Sequence, residues 1–371
     1  MLSSFLPVWG RIPAAAVTAI LLSWLLTPPV RRFAQAVGAI DMPGQRRIHD
    51  HPIPRLGGVA VITAFLAAAL LFADLTEPIT GILLGTLVVA GMGLLDDIFN
   101  LNPWIKLLGQ IAAAAIAVAF GVVLNGITNP FQDMTYGFTL LLGSNVSIVL
   151  TVFWIVMCTN AVNLIDGVDG LATGIAGISA ATMMVVSYLV SDANVTVLLA
   201  CLLGACIGFF PFNRNPARIF LGDVGSQTLG FILATASTLG LFKLHALITF
   251  MIPIMALAVP LADTVFAVVR RMAKGQSPFH ADKGHFHHRL LALGLNQKQV
   301  CAILYAVTGV MGLISILMTE SGAALKIVCA ALAFLIAFGV WYRLGNREPE
   351  KKQEYSASEP DVKIYSRGDK K

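Results

Sequence analysis

Most of this sequence is a succession of long apolar runs broken by short polar stretches. Eleven runs stand out, at 10–30, 56–73, 79–95, 104–124, 145–162, 171–190, 195–211, 224–242, 246–268, 300–318 and 324–342. Each has roughly the 17 to 25 residues that a helix needs to cross about 30 Å of hydrocarbon, whereas a membrane-barrel strand would alternate apolar and polar residues over about ten positions. A helix also satisfies its own backbone hydrogen bonds, which lipid cannot do for it. The pattern predicts an all-α, polytopic integral membrane bundle of about eleven transmembrane helices.

Composition agrees with that reading: of 371 residues, 57% are hydrophobic and 12% charged, and the mean hydropathy is +0.80, outside the soluble globular range. The first run is flanked by Arg11 and by Arg31 and Arg32, and no small-residue cleavage site follows it. It reads as a retained helix and not as a signal peptide. With the N-terminus placed outside, 22 of the 25 Lys and Arg residues fall on the cytoplasmic side, and only Arg11, Lys243 and Lys326 fall on the other. That bias predicts an N-terminus outside and a cytoplasmic C-terminus.

The net charge of +5 is then a topological signal that needs no nucleic acid to explain it, although basic loops beside a membrane also suit anionic membrane lipids and phosphates. Cys158, Cys201, Cys206, Cys301 and Cys329 lie in or beside apolar runs without CxxC spacing and read as small core residues. No internal repeat is visible. Residues 1–345 are read as one transmembrane domain with cytoplasmic catalytic loops, and the polar, charged residues 346–371 as a disordered cytoplasmic tail.

The outer connections are bland and the inner ones are not. "DMPGQRRIHDHPIPRLGG" (41–58), "LLDDIFNLNPWIK" (94–106), "NAVNLIDGVDGLATG" (160–174), "PFNRNPARIFLGDVGSQ" (211–227) and "SPFHADKGHFHHRL" (277–290) are each separated by two spans, so all return to one membrane face. Asp96, Asp97, Asp166, Asp169 and Asp223 can therefore converge, and such a cluster needs a cation within it. Hard oxygen ligands at phosphate chemistry favour Mg²⁺, with Mn²⁺ as a substitute. Any one of these acids alone would read as a solvated helix-end residue.

Asp166 and Asp169 share a face if their segment is helical, while the adjacent Asp96 and Asp97 diverge by about 100° on a helix. "GDVGS" at 222–226 offers a carboxylate beside flexible glycines and free N–H groups, a cradle for phosphate or metal. Phe220 reads either as interfacial packing or as a platform for a nucleobase. His280, His285, His287 and His288 stand with Lys283, Arg289 and Arg270. A zinc or nickel site is the rival there, but no Cys joins the group and the crowding cations favour a bound pyrophosphate. Asp263, deeper in the ninth span, is either functional or paired with a polar neighbour.

"LLDDIFNLNPWIKLLGQ", "NAVNLIDGVDGLATG", "IFLGDVGSQTLGF" and "HADKGHFHHRL", in this order, resemble the polyprenyl-phosphate N-acetylhexosamine-1-phosphate transferases of glycosyltransferase family 4 type, over about residues 31–300. Phe286 between His285 and His287 is similar to the branch that uses UDP-GlcNAc, and departs from the three consecutive histidines of the branch that transfers phospho-N-acetylmuramoyl-pentapeptide. The resemblance implies catalytic roles for Asp96, Asp97, Asp166 and Asp169, and metal ligation by Asp97 and Asp223. It implies substrate contacts for Asn163, Asn213, Phe220, His285, His287, His288 and Arg289.

It further implies transfer of GlcNAc-1-phosphate from UDP-GlcNAc to undecaprenyl phosphate, with Mg²⁺ (or Mn²⁺) as cofactor and UMP released. Such a step would initiate a cell-envelope polysaccharide or teichoic acid at the cytoplasmic face of a bacterial inner membrane. A homodimer is compatible with it. Asp96 or Asp97 would take a proton from the lipid phosphate, and a covalent enzyme-phosphosugar route on an Asp stays open, as does UDP-GalNAc as donor. The alternatives are the pentapeptide transferase and an ion-coupled transporter, whose acids would sit near the bilayer midplane in repeated halves.

Overall fold

The computed structural model describes residues 7–42, 51–124, 126–128, 139–141, 143–190, 192–241, 253–273 and 285–320. Helices occupy these positions in chain order: α1 (Val8–Ala36), α2 (Gly57–Phe72), α3 (Glu77–Phe99), α4 (Pro103–Ala119), α5 (Ser144–Leu164), α6 (Leu171–Leu189), α7 (Ala193–Asn213), α8 (Gly222–Ala236), α9 (Ala258–Ala273), α10 (Phe286–Ala292) and α11 (Gln297–Glu320). Six of them, α1, α3, α5, α6, α7 and α11, are long and apolar enough to cross a membrane, and α2 and α4 are shorter apolar helices. The chain is an all-α membrane protein with ten of its described helices at predicted spans. The eleventh expected span, 324–342, the tail 346–371, and His280 and Lys283 lie outside the described residues.

The differences have local causes. α3 does not stop at residue 95 but runs through both aspartates to Phe99, where Asn100 adopts a left-handed φ of 50° and ends it. α9 continues through Arg270 and Arg271, and the seven-residue α10 was not expected. Two short antiparallel ribbons also occur, pairing β1 (Ile40–Asp41) with β2 (Ile53–Pro54) and β3 (Gly126–Thr128) with β4 (Thr139–Leu141). Two helix starts have polar side-chain caps. The Asn102 side chain accepts from Trp104 N at 3.0 Å, with Pro103 at the first position of α4, and Asp192 accepts from Val195 N at the head of α7.

Helix ends alternate in space as the run pattern requires. At one end, Arg11 pairs with Asp74 at 2.9 Å, and Asp74 N donates to the Asn194 side chain at 2.8 Å, tying the start of α1, the end of α2 and the start of α7. At the other end, Ala34, Ala39 and Leu56 pack with Leu94 and Ile98, joining the end of α1, the start of α2 and the end of α3. α8 lies in the middle of the bundle, packed on α3, α5 and α2. It is buried at every position from Val224 to Ala236, and its polar Ser226, Gln227, Thr228 and Thr235 are hydrogen-bonded there. Asp223 is thus held at the mouth of a wholly enclosed helix. The described cysteines, Cys158, Cys201, Cys206 and Cys301, are free and buried.

Candidate active site

Asp97, Asp166, Asp169 and Asp223 line one cavity of about 330 Å³ together with Asn213, Phe220, His288 and Arg55. All five acids come to one end of the bundle: four line this cavity, and Asp96 is linked to Asp223 through Lys106. Their individual settings differ, and the differences assign them different work.

Asp97 is buried, and both its carboxylate oxygens accept backbone N–H groups of α8: Oδ1 from Asp223 at 3.1 Å and Oδ2 from Val224 at 3.0 Å. A carboxylate at the positive end of a helix is favoured there. Those two N–H groups are not the open phosphate cradle expected of "GDVGS"; they are filled. Gly222 makes the approach feasible, since it has a φ of +76° and a Cβ on it would lie 2.5 Å from Asp97 Oδ2. Arg55 secures the same corner by donating from Nε and Nη2 to the Asp97 carbonyl at 3.0 and 2.6 Å.

Asp96 points elsewhere, as the helical divergence demands. It is buried, accepts from Leu101 N at 2.8 Å, and pairs with Lys106. Lys106 Nζ also donates to Asp223 Oδ2 at 3.0 Å, so one ammonium bridges two of the acids. Asn163 does not line the cavity; its side chain donates to Asp223 Oδ1 at 3.1 Å and to Ser226 at 2.8 Å. Behind Asp223 runs a chain of buried amides: Asn160 donates to Gln110, Gln110 to Gln227 and Gln227 to Asp223, at 2.6, 3.0 and 3.2 Å. Buried amides left without partners would be costly, so this chain also fixes where Asp223 stands.

Asp166 and Asp169 lie in a series of turns and not on a helix. Asp169 Oδ2 accepts from Asn215 at 2.9 Å and from Ala217 N at 3.0 Å. The Asp166 carboxylate faces the cavity with no hydrogen-bond partner among the described residues, while its N–H donates to Asn163 O at 3.2 Å. Burial, followed by the charges of Asp223, Asp97 and Asp169, holds its carboxyl well above the ordinary carboxylate range. Asn213 is buried, receives a bond from Thr173 at 2.8 Å and donates to Ile219 O at 3.1 Å, bracing the turn that presents Phe220. Phe220 N in turn bonds Pro54 O at 2.8 Å.

The histidine loop returns against this cluster, and of its described residues His288 alone lines the cavity. His287 is buried, stacked on His285 with ring centroids 5.9 Å apart. Burial first and His288 second push its imidazole down to about 3, so it is neutral at neutral pH. His285 is also buried and meets Asp263 at 2.8 Å, and Arg289 is half-buried outside the cavity lining. The four loop residues expected to contact substrate thus divide into one that faces the cleft and three that pack beside it.

A divalent cation fits the donor set in one respect: Asp166 has unshared carboxylate oxygens facing a space walled by four further acids, Asp41, Asp97, Asp169 and Asp223. Among the described residues no three His, Cys, Asp or Glu groups already stand at ligating distances. Asp41, Arg55 and Gln297 line the cavity and Lys106 bridges two acids beside it, without a motif that marks any of them as a site residue. In the sequence Lys106 counts only among the cytoplasmic charges, although a lone Lys at the head of an apolar helix near two aspartates is a signal for it.

The family model described as Glycosyl transferase family 4 matches residues 79–241, which carry four of the acids at the cavity. The chain belongs to that family. It is 36% identical over 329 residues, 88% of each chain, to a Bacillus subtilis protein named "Probable undecaprenyl-phosphate N-acetylglucosaminyl 1-phosphate transferase". It is 35% identical over 332 residues, 81% of each chain, to the decaprenyl-phosphate N-acetylglucosaminephosphotransferase of Mycobacterium tuberculosis. A phospho-N-acetylmuramoyl-pentapeptide-transferase of Staphylococcus saprophyticus is more distant, 29% identical over 81% of this chain and 97% of its own. That ordering agrees with the HxHH form of residues 285–288.

Proposed function

We propose that this protein transfers GlcNAc-1-phosphate from UDP-GlcNAc to undecaprenyl phosphate at the cytoplasmic face of a bacterial plasma membrane, releasing UMP. The observation that carries the reading is the acidic cleft at one end of an apolar bundle, with Phe220 and His288 on its walls. A soluble anion and a lipid anion can meet only at such a boundary. In this reading the chain crosses the membrane eleven times, with its N-terminus outside.

The lipid phosphate oxygen attacks the phosphorus that bears the sugar, and the bond from that phosphorus to the UMP oxygen breaks. Little covalent help is needed, so the protein's contribution is position and charge. Phe220 offers a face for the uracil ring. His288 reaches the pyrophosphate, and Arg55 and Lys106 offset the negative charge around it. Asp97 braces α8 in register through the N–H groups of Asp223 and Val224; Asp166 is the carboxylate whose oxygens no described group occupies. Mg²⁺ or Mn²⁺, held by Asp166 and Asp223, would neutralise the pyrophosphate charge.

The test is a side-by-side assay of UMP release by the purified protein with undecaprenyl phosphate and UDP-GlcNAc, UDP-GalNAc or UDP-MurNAc-pentapeptide. UDP-GlcNAc should be turned over fastest. Faster turnover of the pentapeptide donor would assign the protein to the other branch, and turnover of none would refute the transfer reading.

A further inference from the structure

Asp263 takes no part in the cleft, yet it is an acid 2% exposed inside an apolar bundle. It lies ten residues before the end of α9 at Ala273, about 15 Å along the axis at helical rise. A carboxylate so deep requires partners. Both its oxygens have them, and both partners come from the histidine loop: Oδ2 meets His285 Nδ1 at 2.8 Å, and Oδ1 accepts Phe286 N at 2.8 Å.

We infer that Asp263 is the positioning residue of the histidine loop, an anchor within α9 that fixes His285 and the start of α10 and so sets where His287 and His288 stand. The inference rests on the transfer reading above, because His288 is the loop residue that faces the cleft. Three features support it beyond the two bonds.

The first is that α10 lacks a cap of its own. His285 is its N-cap residue and makes no side-chain cap bond; its ring is turned away to Asp263, and the Asp263 carboxylate supplies the missing acceptor at Phe286 N. A helix of seven residues is marginal by itself, so its docking depends on such outside contacts. The second is that apolar and polar contacts come from one face of α9. Phe266, three residues after Asp263 and therefore beside it on the helix, holds the Phe286 ring at a centroid distance of 5.9 Å.

The third is the fit at the far side of the loop. A Cβ on Gly167 would lie 2.5 Å from His287 Nε2, so the turn between Asp166 and Asp169 accepts the imidazole only because position 167 has no side chain. His288 stands beside His287 with ring centroids 4.3 Å apart. A shift of α10 on α9 would therefore move both the seat on the Asp166 turn and the imidazole in the cleft. Because a carboxylate only accepts, the short contact also puts the proton of His285 on Nδ1.

The experiment uses the full-length protein in nanodiscs. Asp263→Asn keeps an acceptor for Phe286 N but offers no charged acceptor to His285 Nδ1, and as a near-isostere it leaves no cavity and should fold. We expect Asp263→Asn to lower kcat at least ten-fold while the melting temperature stays within a few degrees of wild type. In a His288→Ala background the same change should cost less than two-fold, since a positioning residue has nothing further to lose once the group it places is gone. Retention of kcat within two-fold of wild type, or an equal loss with and without His288→Ala, overturns the inference.

A second readout needs no turnover. In ¹⁵N-histidine spectra the Nδ1–H signal assigned to His285, by its absence from His285→Gln, should disappear or shift strongly in Asp263→Asn. An unchanged signal refutes the anchor even in a preparation that transfers; a wild type that shows the signal but does not transfer would count against the catalytic reading and leave the anchor standing.

Discussion

Asp97 and Asp166 carry the same side chain at the same cleft and do different work, because one meets two backbone donors and the other meets three carboxylates. Asp97 exchanges water for the N–H groups of Asp223 and Val224. Asp166 exchanges it for nothing among the described residues, and the raised range of its carboxyl follows from burial and then from its acidic neighbours. An acid shifted upward by folding destabilises the fold once pH rises above its unfolded value. We therefore expect Asp166→Asn to abolish transfer by at least 10²-fold, roughly 2.7 kcal/mol of transition-state stabilisation, while raising the melting temperature in EDTA by about 2 °C, as expected for about 1 kcal/mol. Wild type should lose activity in EDTA and regain it with Mg²⁺ or Mn²⁺. Calorimetry and the UMP assay read the two effects, and a variant that is both active and unstabilised would refute the assignment. The sequence marked these residues as acids in suspicious places; it carried no sign of which would be spent on backbone.

At the scale of elements, the apolar runs located the long helices, since the length of each run is a local property. α10 was not legible. Its residues, "FHHRLLA", have neither the length nor the caps of a helix, and it exists because Asp263, Phe266 and Gly167 receive it. That docking should be visible in the pH dependence of stability. His287 has an ordinary value of 6.5 and a folded value of about 3, so below about 6.5 the unfolded state binds the proton and the folded state refuses it. Its contribution is fully present above pH 6.5 and is lost as pH falls from there towards 3, by about 1 kcal/mol at pH 5.5. Melting curves of wild type and His287→Gln at pH 7.5 and 5.5 should therefore differ in slope, with the variant losing less on acidification. Parallel slopes would mean that His287 is not held neutral by burial.

Over the whole molecule, Arg11, Asp74 and Asn194 gather at one end, and the acidic cavity, Arg55 and the end of α1 at the other. Loops separated by two spans share a side. The proposed orientation follows from which of those ends carries the basic residues. A cysteine placed at Thr128 should be labelled by an impermeant thiol reagent applied to intact cells, whereas one placed at Asn215, beside the cavity, should be labelled only after permeabilisation. The reverse pattern would invert the topology and move the cleft outside.

What the sequence determined by itself was set by quantities that add along the chain: apolar length, the distribution of Lys and Arg, and the spacing that returns Asp96, Asp97, Asp166, Asp169 and Asp223 to one end. Those are sums over neighbours in sequence, and no contact across the fold is needed to evaluate them. The tertiary structure alone decided how each polar group is partnered. Lys106 bridges Asp96 and Asp223 across 117 residues, Gln227 and Gln110 pass a hydrogen bond down the bundle to Asn160, and Asp263 caps a helix that begins 23 residues later. Hydrogen bonds and ion pairs act over about 3 Å, a distance that only the packed bundle fixes, so chemistry visible as residue types became roles only when the helices were brought together.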